Sequence, residues 1–439
     1  MKELIQNLKG DKAIWAFIAF LALFSFMPVF SASSNLAYAN HGTGSTIGFL
    51  LKHLAHIFIG FLIIYWFHKI PYHYYRAVIR IVLGIVWLLL AYTLIKGTVI
   101  AGANASRWIR IPFIGLTFQT STLASIILMI FTARYLAKER QEPITFELSI
   151  KDLWIPVFIT VGLILPGNFS TAALIFAMVL MLTFVGKYPI KYIMYIIGMA
   201  FCGMALFFLI HKAFPKSHFF GRAETWESRI KNFTTDVPNE DDYQIEKAKI
   251  AIASGGLKGL GPGKSVQKNF LPQSSSDFIY AIIVEEYGLI GGLGVLLLYL
   301  LLFFRFVIAA HKANTLFGKL LIIGLGFPMI FQAMVNMAVA VELFPVTGQN
   351  LPLISTGGSS IWMTCMALGI ILSVTKKDDE IKAELAEKEQ REAILKKMID
   401  EQIERENNPS PPAPEGGVDV DGKFSIDEKA NPMKSVFRK

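Results

Sequence analysis

The sequence predicts an all-α, polytopic integral membrane protein of about ten transmembrane helices, with a large extracytoplasmic loop between the seventh and eighth. Three observations carry this. Of 439 residues 54% are hydrophobic and only 17% are charged, against about 25% charged in a soluble domain, and the mean hydropathy is +0.49. Apolar runs near the ~20 residues needed to cross a bilayer recur from residue 13 to residue 375. Lys and Arg gather in alternate short loops, as the positive-inside rule requires of a multi-pass chain.

The runs place spans at roughly 13–34, 48–67, 77–96, 119–137, 153–166, 169–186, 190–212, 278–308, 317–341 and 354–375. Span one is too long for a signal peptide and continues into the fold. Spans five and six are parted by Pro166-Gly167-Asn168, which reads as a tight turn or as the break of a re-entrant hairpin. Span eight is long enough to tilt or to project beyond the hydrocarbon. One set of loops carries Lys2, Lys9 and Lys12; Lys69, Arg76 and Arg80; Arg134, Lys138, Arg140 and Lys151; Lys187 and Lys191; and Lys312 and Lys319. The other set has only Lys96, Arg107 and Arg110 in its short loops. Both termini (residues 1–12 and the tail) are therefore expected in the cytoplasm, and the loop 213–277 outside. The net charge of +9 serves orientation and gives no sign of a nucleic-acid partner. Beyond the membrane domain, 13–375, residues 376–408 mix acid and base with a partial apolar stripe, as in a cytoplasmic helix, and 409–439 opens with PSPPAPEGG and reads as disordered. Cys202 and Cys365 both lie in apolar runs and read as buried packing residues, with no disulfide or metal site.

Chemistry is concentrated in 243–288. Five lysines (Lys247, Lys249, Lys258, Lys264 and Lys268) fall between 247 and 276 with no carboxylate among them. With the glycine series GGLKGLGPGKS at 255–265, they suit a phosphate-bearing ligand, because ammonium groups and exposed backbone N–H groups attract anions. The series does not match a nucleotide phosphate loop. Asp277 stands where this loop meets an apolar helix. It can cap a helix beginning at Phe278 or act as a general base, and one Asp can do both. Glu285 and Glu286 follow inside the span, where at least one needs a partner in the bundle. Lys52, His53 and His56 near the start of span two are consistent with snorkelling.

Three more features share the outer side. Arg107 and Trp108 could clamp a phosphate and stack on a sugar, or simply anchor a helix end at the interface. In PGNFSTA, Asn168 and Ser170 suffice as caps of span six. FPVTGQNLPLISTGGSS, with Gly348, Gly357 and Gly358, implies irregular backbone, which at membrane depth must be buried or line a cavity.

Together these stretches resemble the SEDS family (shape, elongation, division and sporulation), which includes FtsW and RodA, and within it most the cell-division branch. The resemblance covers about 13–375 and rests on SRW at 106–108, the block YQ…AIASGGLKGLGPGKSVQKNFLP…SDFIYAIIVEEYG at 243–288, and VNMAV…PVTGQNLPLISTGGSS at 335–360. It implies a peptidoglycan glycosyltransferase that polymerises lipid II at the outer face of the cytoplasmic membrane. The family's essential aspartate maps onto Asp277, which would take the proton of an incoming sugar 4-hydroxyl as that oxygen attacks the anomeric carbon with inversion. Substrate contacts are implied for Arg107, Trp108, Lys258, Lys264, Gln267, Lys268, Ser359 and Ser360, and supporting roles for Glu285, Glu286, Gly357 and Gly358. No cofactor is certain. A divalent cation, magnesium or manganese, is compatible with the family, but no residue is assigned as its ligand. The implied partners are lipid II, a class B penicillin-binding protein transpeptidase and other division proteins.

The chain departs from the family pattern in places. After the Arg-Trp loop, Gln119-Thr120-Ser121-Thr122-Leu123-Ala124-Ser125 lacks the usual Glu and Lys. Gly167-Asn168 replaces Pro-Asp, Lys247-Ala248 replaces Gln-Ser, and Thr356 stands for a tyrosine. The alternatives are an elongation-type polymerase, a flippase of a lipid-linked precursor, and a non-catalytic scaffold. No span carries the ladder of acids or histidines that a proton-driven flippase would need.

Overall fold

The computed structural model describes residues 9–39, 46–97, 108–110, 117–138, 145–213, 240–376, 386, 389–400 and 403. Among the described residues, ten helices of ten or more residues form the bundle. They are α1 (Lys12–Ala39), α2 (Thr46–Lys69), α3 (His73–Lys96), α4 (Thr120–Lys138), α5 (Ile155–Ile164), α6 (Phe169–Val185), α7 (Ile190–Ala213), α9 (Ile279–Lys312), α10 (Leu316–Ala340) and α11 (Ser359–Val374). An eleventh, α8 (Glu240–Gly255), lies in the long loop, and a hairpin of β1 (Trp108–Arg110) and β2 (Thr117–Gln119) precedes α4. Neither of these two features was expected from the sequence. α1–α4, α9 and α10 are each long and apolar enough to cross a membrane, and α6, α7 and α11 are shorter apolar helices.

Spans five and six are separate. α5 is led in by a short turn (Phe146–Ser149) and a π-helical turn (Ile150–Trp154), and together these reach about the ~30 Å of a hydrocarbon core. Gly167 and Asn168 then turn tightly, both donating to Ile164 O, at 3.0 and 2.9 Å. The Asn168 side chain caps α6 by accepting from Thr171 N at 3.2 Å. The π turn is fixed by Tyr188, whose hydroxyl lies 2.5 Å from Ser149 Oγ and accepts from Trp154 Nε1 at 3.2 Å.

α4 and α10 form the centre, with 67% of their spans buried, against 22% and 28% for the peripheral α2 and α3. α2 packs on α11, where Gly60 and Gly369 leave room for Cys365 and Phe67; small residues allow such close approach in a membrane, where water does not drive helices together. Cys365 is buried as expected, but Cys202 is exposed on α7, because an apolar run reads the same whether it faces lipid or protein. Inside the bundle His53 lies 2.8 Å from Ser25 Oγ, and the His56 ring stacks on Trp362.

At the end of the bundle opposite Asp277, Asp11 joins three helices. Its carboxylate accepts from Ala13 N at 2.9 Å and Ile14 N at 3.3 Å at the start of α1, and from Arg305 of α9 at 2.7–3.0 Å through Nε and Nη2. Its backbone N–H donates to Thr375 Oγ1, just past α11, at 3.0 Å. A second compact unit comprises Asp378–Lys439; within it residues 389–400 are helical and exposed.

Candidate active site

Asp277 lies in the turn 272–278, half-buried, one residue before Phe278, which takes the N-cap position of α9. The protein grips this turn by its backbone. Asn336, buried in α10, donates through Nδ2 to Asp277 O at 2.7 Å and to Gln349 O at 2.7 Å, stapling the turn to the loop 342–358. Ser355 Oγ donates to Ser276 O at 2.6 Å, and Thr356 donates through N and Oγ1 to Ser275 O, both at 2.9 Å. Three consecutive carbonyls are thereby fixed. The loop 342–358 is itself held by Gln332 Nε2 on Asn350 O at 2.9 Å and by the buried Tyr299 hydroxyl, which donates to Pro352 O.

The carboxylate faces the exposed Gly348. A Cβ added there would sit 3.5 Å from Asp277 Oδ2, and Gly348 has φ +64, a conformation that favours glycine. The same loop leads to α11, where Asn350 Nδ2 donates to Ser360 Oγ at 3.3 Å and Ser359 Oγ accepts from Gln119 N at 3.2 Å. Gln119 is the register partner of Trp108 in the hairpin. Trp108, Ser360 and Asp277 thus belong to one connected network, with Ser359 buried within it. Gly357 and Gly358 close its corner: a Cβ at Gly357 would overlap Ser360 Oγ, and Gly358 is the cap residue of α11. Arg107 lies outside the described residues.

The glycine-rich loop is docked on the start of α9. Its Gly255 and Gly259 meet protein backbone there, whereas Gly256 and Gly263 have open space where a side chain would be. Leu260 N and Gly261 N donate to Glu285 O and Glu286 O, each at 2.9 Å, and Leu289 N donates back to Gly256 O at 2.8 Å. α9 is broken at Gly288 (φ 70, ψ −174) to allow this. Any side chain at Gly259 or Gly288 would lie 2.2 Å from a carbonyl oxygen of the facing segment.

Both glutamates are fully buried, and both hold this loop. Glu285 accepts from Ser265 Oγ, from Val266 N at 2.9 Å, from Gln267 N at 3.2 Å and from Ser254 Oγ at 3.5 Å. Glu286 accepts from Ser31 Oγ of α1 and from Ser265 N at 3.3 Å. Lys268, half-buried, donates to Ser31 Oγ at 3.2 Å and to Gly263 O at 2.9 Å. Lys258 and Lys264 are exposed. Gln267 turns its buried Oε1 to no partner among the described residues. No group of three His, Cys, Asp or Glu side chains gathers among the described residues, so they contain no protein cage for a divalent ion.

Sequence reasoning passed over Asn336, Ser355, Ser31 and the Asp11–Arg305 pair. Asn336 and Arg305 did carry a signal, as polar groups inside otherwise apolar spans.

A ten-helix membrane bundle with a half-buried carboxylate in a fixed turn at one polar end defines a class of integral membrane proteins. Residues 11–380 match the FtsW/RodA/SpoVE family of cell cycle proteins, and the chain belongs to that family. A Geobacter metallireducens protein named probable peptidoglycan glycosyltransferase FtsW is 32% identical over 373 residues, covering 84% of this chain and 95% of its own. The Thioalkalivibrio sulfidiphilus protein of the same name is 29% identical, over 83% of this chain and 89% of its own. Among solved structures, Thermus thermophilus rod shape determining protein RodA shares the fold with a TM-score of 0.59 at 24% identity, over 83% of this chain and 96% of that one. A chain from a structure concerned with the coordination of polymerization and crosslinking by a peptidoglycan synthase complex gives 0.62 at 24% identity, over 83% of this chain and 97% of that one.

Proposed function

We propose that this chain is a peptidoglycan glycosyltransferase of the division type, polymerising lipid II with Asp277 as its general base. The observation that carries the reading is the placement of Asp277: its backbone is immobilised by Asn336, while its carboxylate stays half-buried beside an exposed glycine. A base must be held rigidly yet reach a substrate hydroxyl. The 4-hydroxyl of the incoming sugar attacks the anomeric carbon of the donor, and Asp277 takes its proton. The bond to the diphosphate breaks, and undecaprenyl diphosphate leaves with the electron pair. One displacement inverts the anomeric centre, so a second carboxylate nucleophile is not required.

Lys258 and Lys264, exposed on the docked loop, are the cations assigned to the departing diphosphate. Trp108 and Ser360 are assigned to the acceptor side of the same site, and the buried Ser359 supports it by accepting from Gln119 N. The division role follows the names of the curated relatives. A class B penicillin-binding protein is the assigned partner, consistent with the synthase complex that shares the fold. The charge asymmetry between the two ends supports a reading with both termini in the cytoplasm and Asp277 on the outer face.

The test is polymerisation of purified lipid II by the full chain in detergent or vesicles. Asp277→Asn and Asp277→Ala should both stop glycan synthesis while yield and membrane insertion stay normal. Asn preserves hydrogen bonding and size, so wild-type synthesis by that variant would leave Asp277 a structural residue. Loss of lipid translocation with retained polymerisation would favour the flippase instead.

A further inference from the structure

The end of the bundle opposite Asp277 brings together three arginines that no carboxylate among the described residues answers. Arg76 and Arg80, one helical turn apart on α3, share a face and are exposed. Arg134 stands on α4, which packs against α3, and feels the charge of both. The Arg134 side chain is half-buried, and its Nη1 atom is shielded from solvent with no hydrogen-bond partner among the described residues. The ion pairs Glu246–Lys247, Lys249–Glu342 and Asp11–Arg305 involve none of the three. A buried guanidinium nitrogen left unpaired costs free energy, and neighbouring cations add to that cost. One bound anion relieves both.

Depth and shape indicate which anion. Arg76 is in the first turn of α3, Arg80 a turn further, and Arg134 a turn from the end of α4. A turn rises about 5.4 Å, so the three heads reach the headgroup layer at the edge of the hydrocarbon. Beneath them Gly84 continues the row of Arg76 and Arg80 and leaves open space where a side chain would be. Ile81, Ile85 and Leu88 beside it are all exposed. We infer that Arg76, Arg80 and Arg134 bind the phosphate of an anionic phospholipid whose acyl chain lies along α3 over Gly84. Orientation by positive charge needs only exposed residues and does not require a shielded, unpaired guanidinium nitrogen. Free phosphate shares the anion chemistry but has no use for the exposed apolar face beside Gly84.

The experiment uses the full chain in neutral detergent. Lipid retention is read by native mass spectrometry, and the unfolding midpoint is followed with added phosphatidylglycerol, phosphatidylcholine or inorganic phosphate. Phosphatidylglycerol should be retained and should raise the midpoint, while the other two do neither. Arg134→Gln should weaken retention about fivefold, from ~1 kcal/mol per charge near a lipid surface. Arg134→Lys should recover only part of this, because it keeps the charge and loses the fork. Gly84→Leu should weaken retention with no change of charge. If Arg134→Gln fails to fold, Arg80→Gln and Gly84→Leu, both at solvent- or lipid-facing positions, carry the measurement. Equal retention by wild type and these variants, equal stabilisation by phosphatidylcholine, or stabilisation by inorganic phosphate alone would overturn the assignment.

Discussion

Two acidic environments sit within a few turns of each other at the start of α9, and the protein treats them in opposite ways. Around Glu285, four donor groups converge on a side chain with no solvent exposure. Around Asp277, Asn336 takes the backbone carbonyl and the side chain remains half-buried, facing Gly348. A carboxylate saturated by donors from its own protein has little left for a substrate, and its removal is felt as lost stability. One held half-buried in a turn fixed through its backbone lies within reach of a substrate, and its removal is expected to be felt as lost rate. The difference is the one expected between a structural acid and the general base proposed for Asp277.

Exchanging the measurements between these two sites is the strongest way to break the contrast. Asp277→Asn should lower the polymerisation rate by about 10²–10⁴, the usual contribution of a general base, with an unchanged unfolding midpoint. Glu285→Ala should do the reverse. Stranding the buried donors of Ser265, Val266 and Gln267 should cost on the order of 3–5 kcal/mol, seen as poor yield and a lowered midpoint in detergent. A Glu285→Ala protein of normal stability that cannot polymerise lipid II would erase the distinction. Asn336→Ala sharpens it, because it frees the backbone of Asp277 without touching the carboxylate. It should lose about 1–3 kcal/mol and lower kcat at a nearly constant KM, measured by initial rates against lipid II concentration. The smallest effects belong to Lys258→Gln and Lys264→Gln, whose exposed side chains should leave the midpoint alone and reduce turnover by a few fold, as ~1 kcal/mol each would give. Normal synthesis by these variants alone, with failure only beside the transpeptidase, would reassign the lysines to docking.

Much of this was legible before any coordinates, because bilayer thickness imposes itself on composition: the ten apolar runs became ten helices. Asp277 was legible as a lone acid at a polar–apolar junction. The glycine series was harder to read, since a glycine that admits a ligand and one that admits another backbone look alike in a sequence. Gly259 and Gly288 admit each other's segments, so part of the loop is a docked strap, while Gly256 and Gly263 stay open on its exposed side. Strands of three residues are too short for alternation to register, which is why the hairpin pairing Trp108 with Gln119 was missed. Asn336 was one polar letter in an apolar run, and its partner Gln349 lies in a loop whose path the run does not reveal.

The Asp11 clasp also bears on how the chain is made. Asp11 lies at the very start of the membrane domain, Arg305 near the end of α9 and Thr375 just beyond α11. A ribosome delivers them in that order, so the first acid of the domain waits through nearly the whole of translation for its last ligand. The Asp11–Arg305 pair needs only α1 and α9, whereas the contact with Thr375 must await α11, so the complete clasp is the later of the two to form.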